Sequence, residues 1–342
     1  MIENDIINLI SIVIVAKDAD KTIGECLARI KAQKYPREKI EILVIDGGST
    51  DSTCEVAKNY GALVIEGGYP ENQEARRYIG IKASQGDVLV FIDTDNFMPH
   101  DGWLEKMVSH MRNKEVMACF TKWYGIEEGM SGIDKYYALI GGNDPIAFYL
   151  GKNDRVPLGS EYLPNGAILK STEKNADYVE FKHNDLPALG CNGFLIKKKY
   201  VDKIKYDNPE KFFHIDINTD LVKKFPAGQY AIVREVILHA PATPLFFNLL
   251  KRARYKGLHS ERLASYRKYK VFDGNRFADV LKLVLTIFAG LTLVEPICRA
   301  LIGYINTRRV EWFYHPLVIF AMIIVYTWSV VKSRARNKPL IT

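Results

Sequence analysis

Residues 88–96 read VLVFIDTDN and carry the strongest local signal in the chain. Five consecutive apolar residues end at Ile92, and two carboxylates, Asp93 and Asp95, follow with one residue between them. A short apolar run of this kind predicts a strand that is buried on both faces. In an open parallel sheet, ligands bind at the carboxyl ends of the strands. The sequence therefore predicts two acidic side chains at the edge of a sheet where a ligand would bind.

Apolar runs and helical segments alternate along the first third of the chain. Further strands are expected at 11–16, 40–45 and 62–65, and helices at 22–34, 49–60, 71–85 and 103–112. This alternation indicates an α/β fold built on a doubly wound, mostly parallel sheet. From about 115 to 240 the pattern is irregular and richer in Gly, Pro and Asn, so we expect further strands and long loops there.

The composition excludes several classes of protein. The 342 residues include 47 Lys and Arg against 40 Asp and Glu, and a net charge of +7 is too modest to indicate a nucleic-acid binder. The five cysteines contain no CxxC pair, which argues against a zinc ribbon and favours reduced thiols in the cytosol. An acidic N-terminus predicts that the apolar stretch 6–16 is a strand rather than a signal peptide.

Nucleotide-binding motifs of the commonest kinds are missing. The first predicted strand is followed by Lys17-Asp18-Ala19-Asp20, where a dinucleotide-binding fold would need GxGxxG. The sequence contains neither a GxxxxGK[ST] loop nor HExxH. These absences argue against a nicotinamide or flavin enzyme, a P-loop protein and a zincin.

The last hundred residues change in character and predict contact with a membrane. Residues 245–256 mix aromatic and aliphatic residues with Lys and Arg, which is typical of an interfacial helix. Residues 312–331 contain no formal charge and are long enough to cross a bilayer, at ~1.5 Å per residue. Residues 281–305 are interrupted by Glu295, Pro296 and Arg299, and these three leave open a broken or interfacial helix instead of a span.

The positions of basic residues favour two spans. Lys and Arg flank the entry to the first apolar segment and the tail after the second, and Arg308 and Arg309 lie between the segments. The positive-inside rule then places both ends in the cytoplasm, which requires a hairpin with spans at about 281–305 and 312–331. We therefore expect a catalytic domain over 1–243, interface helices over 244–276, and a membrane hairpin with a basic cytoplasmic tail over 277–342.

In order and spacing, four stretches resemble glycosyltransferase family 2, whose members have the GT-A fold. They are the first strand with Lys17-Asp18, the loop ILVIDGGSTDST at 42–53, the run EARRYIGIKASQGDVLVFIDTDN at 74–96, and GCNGF at 190–194. Two positions depart from the family pattern: Gly47 stands where a second Asp is usual, and Arg77 replaces an Asn. The resemblance covers roughly residues 8–240 and also extends to archaeal mannosyltransferases with a minimal cellulose-synthase-like architecture.

The resemblance implies a site for a nucleoside diphosphate sugar. Its donor-binding residues would be Ala16, Asp18, Asp46, Gly48, Arg76, Asp93, Thr94, Asn192 and Gly193. Asp46 would accept hydrogen bonds from the base, Arg76 would face the diphosphate, and 190–194 would form the donor-sugar loop. The alternatives are a structural capping role for Asp46 and a surface position for Arg76.

The resemblance also implies a divalent cation, Mn²⁺ or Mg²⁺. Asp93 would contact ribose or metal, and Asp95 would bind the metal, which bridges the diphosphate and stabilises the leaving group. His239 follows a β-like run at 231–238, where the family often has a histidine beside the diphosphate or metal. A purely structural role for His239 is the alternative.

The catalytic base is harder to predict, because the Glu-Asp pair that the family places beyond the sugar loop is missing. The corresponding stretch, 213–220, offers Asp216 as the first candidate and Asp220 as the second, although Asp220 could instead cap a helix that begins at Leu221. Without a base, the acceptor could be an anionic phosphate. No Gln-x-x-Arg-Trp sequence follows, which argues against a processive polymerase.

Together these features predict a membrane-bound inverting glycosyltransferase with its catalytic domain in the cytoplasm. It would move one sugar, with mannose from GDP-mannose as the first expectation and UDP-sugars next, to a polyprenyl-linked glycan in N-glycan or glycolipid assembly. A polyprenyl-phosphate glycosyl synthase of the dolichyl-phosphate mannose or glucose type is the first alternative. A membrane-anchored protein that binds sugar nucleotides without turnover is the second.

Overall fold

The computed structural model describes residues 5–173, 175–258 and 266–336. The chain divides into two compact units, one of Met1–Glu127 with Asp154–Ala240 and one of Glu128–Asn153 with Pro241–Thr342. The expected single boundary near residue 243 therefore differs from the observed division. Residues 128–153 pack with the C-terminal helices, although they lie within the predicted catalytic domain.

The first unit is built on a mixed sheet. In the described part of the chain its strands are β1 Ile10–Ala16, β2 Ile40–Asp46, β3 Leu63–Glu66, β4 Val88–Phe91, β5 Asn96–Phe97, β6 Val116–Gly125, β7 Ala167–Glu173, β8 Ala176–Phe181, β9 Phe194–Lys197 and β10 Gln229–His239. Their order is β3-β2-β1-β4-β9-β6-β10-β8-β7, and β5 pairs with β10. The N-terminal strands β3, β2, β1 and β4 are parallel, whereas β9 runs antiparallel to both β4 and β6.

Helices cover this sheet and connect its strands. They are α1 Asp20–Lys31, α2 Thr53–Asn59, α3 Gln73–Ala83, α4 Trp103–Met111, α7 Lys198–Val201 and α8 His214–Lys224. All seven residues of β1 are buried, which is the pattern expected of a central parallel strand. The alternation of strands and helices predicted for the first third of the chain is therefore confirmed. It places the ends of β1, β2 and β4 at one edge of the sheet.

The second unit is helical among the described residues. Its helices are α5 Gly132–Ile140, α6 Pro145–Leu150, α9 Leu245–Leu258, α10 Phe277–Thr292, α11 Val294–Thr307 and α12 Tyr314–Arg336. Segment Val310–Lys332 is long and apolar enough to cross a membrane, and it contains the predicted span 312–331. Its N-terminal end is tied to α5 and α6, since the His315 ring hydrogen-bonds to the hydroxyl groups of Tyr136 at 2.8 Å and Tyr149 at 2.9 Å.

The first apolar segment, for which the sequence predicts a span over 281–305 and leaves open a broken helix, consists of two helices. α10 and α11 meet at an angle of 83° around Leu293, which has a left-handed φ of 61° and ends α10. Pro296 then lies in the first turn of α11, where its missing N–H costs no helical hydrogen bond. At ~1.5 Å per residue, neither helix alone reaches the roughly 30 Å of a bilayer core. Glu295 and Arg299, four residues apart on α11, form an ion pair.

Candidate functional site

The predicted donor-binding residues of the first two strands meet at one edge of the sheet. Ala16 and Asp46 are the last residues of β1 and β2 and stand opposite each other in the parallel register. The Ala16 carbonyl accepts a hydrogen bond from the Gly47 N–H at 2.9 Å. Asp93 lies two residues after the end of β4, and β4 pairs with β1 on the side opposite β2. The sheet therefore brings together the acidic positions that the sequence places after strands.

The Asp46 carboxylate organises the loop that follows it. Oδ2 accepts hydrogen bonds from the backbone N–H of Gly48 at 2.9 Å and of Ser49 at 3.0 Å, and Oδ1 accepts from the Ser49 hydroxyl at 2.5 Å. Burial by itself would raise the pKa of Asp46, but these hydrogen bonds outweigh it and lower the pKa. Gly48 has a φ of +85°, a conformation that favours glycine. Asp46 thus stabilises the conformation of the loop that follows β2. Its contact with a nucleobase stays a prediction.

Asp18 joins the loops after β1 and β2. Its Oδ1 accepts a hydrogen bond from the Thr50 N–H at 2.8 Å, and its own N–H donates to the Ser49 hydroxyl at 2.9 Å. Asp18 has a φ of 48°, which is uncommon for a residue with a Cβ. Such strain persists only where its surroundings hold it, as these two hydrogen bonds do here.

Arg76 is buried, and it explains the first departure from the family pattern. Its Nη1 donates to the carbonyls of Tyr69 at 2.7 Å and Pro70 at 3.2 Å. A Cβ added at Gly47 would lie 2.6 Å from the same nitrogen, so the arginine occupies the space that a side chain at 47 would need. The alternative of a surface arginine is wrong, because Arg76 is only 6% exposed.

Arg77, the second departure, is the most informative residue that the sequence reasoning overlooked. It is 2% exposed, and its Nη2 donates to both carboxylate oxygens of Asp93, at 2.6 and 2.8 Å. Its Nη1 donates to Oε1 of Glu74, one turn earlier on α3. A buried guanidinium held by two carboxylates fixes the direction of Asp93. The pair Arg76-Arg77 on a helix next to a strand was the signal available in the sequence.

The second carboxylate of the predicted pair faces His239. Strand β5 begins at Asn96 and pairs with the end of β10, with Asn96 opposite His239. This pairing leaves His239 Nε2 3.7 Å from Asp95 Oδ2. Burial alone would lower the pKa of His239, but the carboxylates of Asp95, Asp154 and Asp93 outweigh it and raise the pKa. Thr94 lies between the two aspartates and is half-buried.

The predicted sugar loop contacts a further carboxylate, Asp154, which the sequence reasoning did not identify. The Tyr124 hydroxyl donates to Asp154 Oδ2 at 2.5 Å, and Asn192 Nδ2 donates to the same hydroxyl. Arg155 Nη2 donates to the Asn192 carbonyl at 2.6 Å. Gly193 has a φ of +66° and donates its N–H to the Phe91 carbonyl, at the end of β4. The loop is thereby held between β4 and the Tyr124–Asp154 pair.

The two predicted bases lie on one helix in different surroundings. Asp216 is in the first turn of α8 and is 2% exposed. Asp220 accepts a hydrogen bond from the Tyr206 hydroxyl at 2.8 Å. The alternative that Asp220 caps a helix starting at Leu221 is wrong, since α8 already begins at His214 and Asp220 lies in its interior.

The side chains at this edge could bind a hard divalent cation only if a bound ligand supplied further oxygen atoms to the metal. In the described residues, no group of three or more His, Cys, Asp or Glu side chains is placed to hold a metal ion. Asp95 and His239 offer two donor groups, whereas both oxygens of Asp93 accept from Arg77. Carboxylate and imidazole with further oxygens from a diphosphate and water are compatible with Mn²⁺ or Mg²⁺. The chemistry of this pair therefore fits a metal that arrives together with a nucleotide.

Comparison with known proteins finds glycosyltransferases among the relatives of this chain. The profile of the glycosyl transferase family 2 domain matches residues 11–159. Glycosyltransferase AglE of Haloferax volcanii is 36% identical over 106 residues, which are 29% of this chain and 34% of that protein. The dolichyl N-acetyl-alpha-D-glucosaminyl phosphate 3-beta-D-2,3-diacetamido-2,3-dideoxy-beta-D-glucuronosyltransferase of Methanococcus voltae is 31% identical over 114 residues, or 32% of this chain and 36% of that protein.

A solved structure extends the likeness to most of the chain. The mannosyltransferase PcManGT from Pyrobaculum calidifontis, in complex with GDP-Man and Mn²⁺, has a TM-score of 0.54 and 13% sequence identity. The likeness covers 96% of this chain and 88% of that one, and at this identity it speaks for the fold. The matched segments span about a third of the length of AglE and of the Methanococcus voltae transferase. The chain has the GT-A fold, and its residues 11–159 match the family model of glycosyl transferase family 2.

Proposed function

We propose that the protein is an inverting glycosyltransferase that takes one sugar from a nucleoside diphosphate sugar. The observation that carries the proposal is the pairing of β5 with β10, which brings Asp95 to 3.7 Å from His239 beside the Arg77-held Asp93. Two carboxylates and an imidazole at the carboxyl end of a sheet suit a diphosphate with its cation. GDP-mannose is the first donor we propose and UDP-sugars are the next, since PcManGT is in complex with GDP-Man.

Asp95 and His239 are the residues that we propose to hold Mn²⁺ or Mg²⁺. The cation, when bound, neutralises charge on the diphosphate leaving group. Arg77 holds the Asp93 carboxylate in one orientation. In this orientation Asp93 would accept a hydrogen bond from a ribose hydroxyl or from a metal-bound water. Mn²⁺ is supported by its presence in the PcManGT complex.

Residues of three loops would bind the rest of the donor. Asp46 and Asp18 hold the loops at the nucleoside end, and Arg76 stands beside Gly47 within that edge. Asn192 and Gly193 belong to the loop that leads from β8 into β9 and contacts Tyr124, and we propose that they contact the sugar. Each of these roles is a proposal that rests on the family resemblance and on the position of the residue at the carboxyl ends of the strands.

We propose a membrane-held acceptor because the second unit exposes a large apolar surface. Phe246 and Phe247 on α9 are 66% and 61% exposed, and Phe288 on α10 is 66% exposed. Monomeric soluble proteins rarely expose contiguous apolar surface of this kind. Segment 310–332 would cross the membrane, with the catalytic domain in the cytoplasm. A polyprenyl-linked glycan in N-glycan or glycolipid assembly is the acceptor class that fits such an anchor.

A polyprenyl-phosphate glycosyl synthase is the second candidate, and one observation favours it. Asp216, the residue that the family resemblance suggests as base, is 2% exposed and therefore poorly open to an acceptor hydroxyl. An acceptor phosphate is already anionic and needs no base.

The test measures nucleoside diphosphate release by protein purified in detergent. GDP-mannose and UDP-glucose are supplied with Mn²⁺ and with either phytanyl diphosphate-linked N-acetylglucosamine or dolichyl phosphate. Asp95→Asn should abolish release, whereas Asp101→Asn, a surface carboxylate paired with Lys34, should leave it unchanged. Nucleotide binding without release from any donor, in folded protein, would contradict the transferase and favour the binding protein. The acceptor that supports release decides between the two transferases.

A further inference from the structure

His214 and Glu74 form a buried dyad between α8 and α3. The Glu74 Oε2 accepts two hydrogen bonds from His214, one from ring Nδ1 at 2.7 Å and one from the backbone N–H at 3.0 Å. The other oxygen, Oε1, accepts from Arg77. Burial alone would raise the pKa of Glu74, but His214 and Arg77 outweigh it and lower the pKa, so the carboxylate is charged. Glu74 thus fixes both the position and the tautomer of the imidazole.

The other ring nitrogen of His214 is directed at the predicted sugar loop. A Cβ added at Gly190 would lie 1.9 Å from Cδ2 and 2.3 Å from Nε2 of His214, so the ring edge fills the space beside this glycine. In the described part of the chain, Nδ1 and the backbone N–H of His214 have hydrogen-bond partners, whereas Nε2 has none. The side chain keeps 11% exposure. Two residues further along, the loop reaches Asn192, which contacts Tyr124.

We propose that His214, oriented by Glu74, is the general base of the transfer, an inference that rests on the proposed function. His214 Nε2 takes the proton of the acceptor hydroxyl while the acceptor oxygen bonds to the anomeric carbon of the donor sugar. The bond from that carbon to the diphosphate oxygen breaks, and the diphosphate leaves with the electron pair. The proton stays on the imidazole, as imidazolium stabilised by the Glu74 carboxylate. A carboxylate that orients a histidine base is a recurrent arrangement in hydroxyl activation.

This dyad resolves the difficulty posed by the missing Glu-Asp pair. Asp216 lies on the same helix but is almost fully buried, and Asp220 is engaged by Tyr206. His214 begins α8 and combines a fixed orientation with a side chain that keeps 11% exposure. The charged groups near the ring are Glu74 in direct contact and Arg77 behind it, with Asp216 on its own helix.

The experiment compares variants with phytanyl diphosphate-linked N-acetylglucosamine as the hydroxyl acceptor, at saturating Mn²⁺. His214→Gln should lower kcat by 10²- to 10⁴-fold, the usual contribution of a general base, with the dissociation constant for the donor unchanged in calorimetry. Glu74→Gln should lower kcat less and act through the orientation of the ring, so Glu74 is a positioning residue. Added imidazole should restore part of the activity of His214→Gly.

The pH profile separates a base from a structural histidine. The wild-type kcat should fall on the acidic side through a single ionisation, and that limb should be absent from the residual activity of His214→Gln. Full activity of His214→Gln, or a wild-type kcat that is independent of pH between 5 and 8, would overturn the proposal while leaving the transferase in place. If His214→Gln does not fold, the wild-type profile and imidazole rescue of His214→Gly decide. No nucleoside diphosphate release by the wild type would instead overturn the proposed function itself.

Discussion

Arg77 donates from Nη2 to both carboxylate oxygens of Asp93, at 2.6 and 2.8 Å. The same guanidinium donates to Glu74, whose second oxygen accepts from His214. One buried arginine on α3 thereby connects the carboxylate after β4 with the first residue of α8. A displacement of Arg77 would therefore change the positions of both Asp93 and, through Glu74, His214.

Arg77→Met should destabilise the first unit strongly. The substitution leaves Glu74 and Asp93 without their buried cation, and breaking a buried ion pair in this way costs about 3–5 kcal/mol. The matched control is Arg112→Met, which removes a half-exposed pair with Glu105 and should cost under ~1 kcal/mol. Unfolding in urea, followed by tryptophan fluorescence, measures both. Equal stability of the two variants would contradict the structural role of Arg77.

Gly190→Ala should lower kcat while leaving donor binding nearly unchanged. The added Cβ would come within 1.9 Å of the His214 ring and push it away from its position against the loop. The control is Gly24→Ala in α1, where the nearest atom is at an ordinary 3.6 Å and activity should be unaffected. Steady-state kinetics on both proteins give the comparison. Unchanged kcat in Gly190→Ala would show that the imidazole can move without consequence.

His239→Gln should raise the Mn²⁺ concentration needed for half-maximal activity. Loss of one metal donor is expected to weaken binding by about tenfold or more, which corresponds to about 1.4 kcal/mol. The comparison variant is His183→Gln, which changes an exposed histidine whose ring hydrogen-bonds to the neighbouring Asn184. Activity titrated with MnCl₂ is the measurement. Identical Mn²⁺ dependence in the two variants would leave His239 with a structural role alone.

Asp46 should contribute stability that depends on pH in a defined direction. Its pKa in the folded protein is lower than the ordinary value of 3.8, so the folded state favours the charged form. The contribution is fully present above pH 3.8 and is lost as the pH falls through the lower, folded-state pKa. Asp46→Asn should therefore lose stability relative to wild type at pH 6, with a difference that shrinks below about pH 3.8. A pH-independent difference in urea unfolding would contradict this.

The basic residues that follow the apolar stretch 312–331, such as Lys332, should lie on the cytoplasmic side. For this, both the bent pair α10–α11 and segment 310–332 must cross the membrane, with Arg308 and Arg309 outside. In a Cys298→Ser background, which removes an exposed native thiol, a membrane-impermeant maleimide should label Arg309→Cys in intact cells. It should label Lys332→Cys only after permeabilisation. The reverse pattern would indicate that the bent pair enters and leaves on one side.

Local sequence patterns were sufficient to predict much of the fold. Strands β1, β2 and β4 and the carboxylates that follow them could be predicted from the sequence. The reason is that a buried strand and its end each produce a pattern within a few neighbouring residues. The long apolar helix over 312–331 could be predicted for the same reason. Family resemblance added the donor class, because its motifs are also short and contiguous.

Tertiary structure alone decided which side chains share the site. His214 and Glu74 are 140 residues apart, and the contact exists only because α8 packs beside α3. Asp95 meets His239 because the two-residue strand β5 pairs with β10, and such a strand has too little pattern to predict. The break at Leu293 depends on a left-handed φ that no propensity of leucine indicates. Composition and periodicity act over neighbouring residues, whereas the His214–Glu74 dyad and the Asp95–His239 pair arise from contacts between elements distant in the chain.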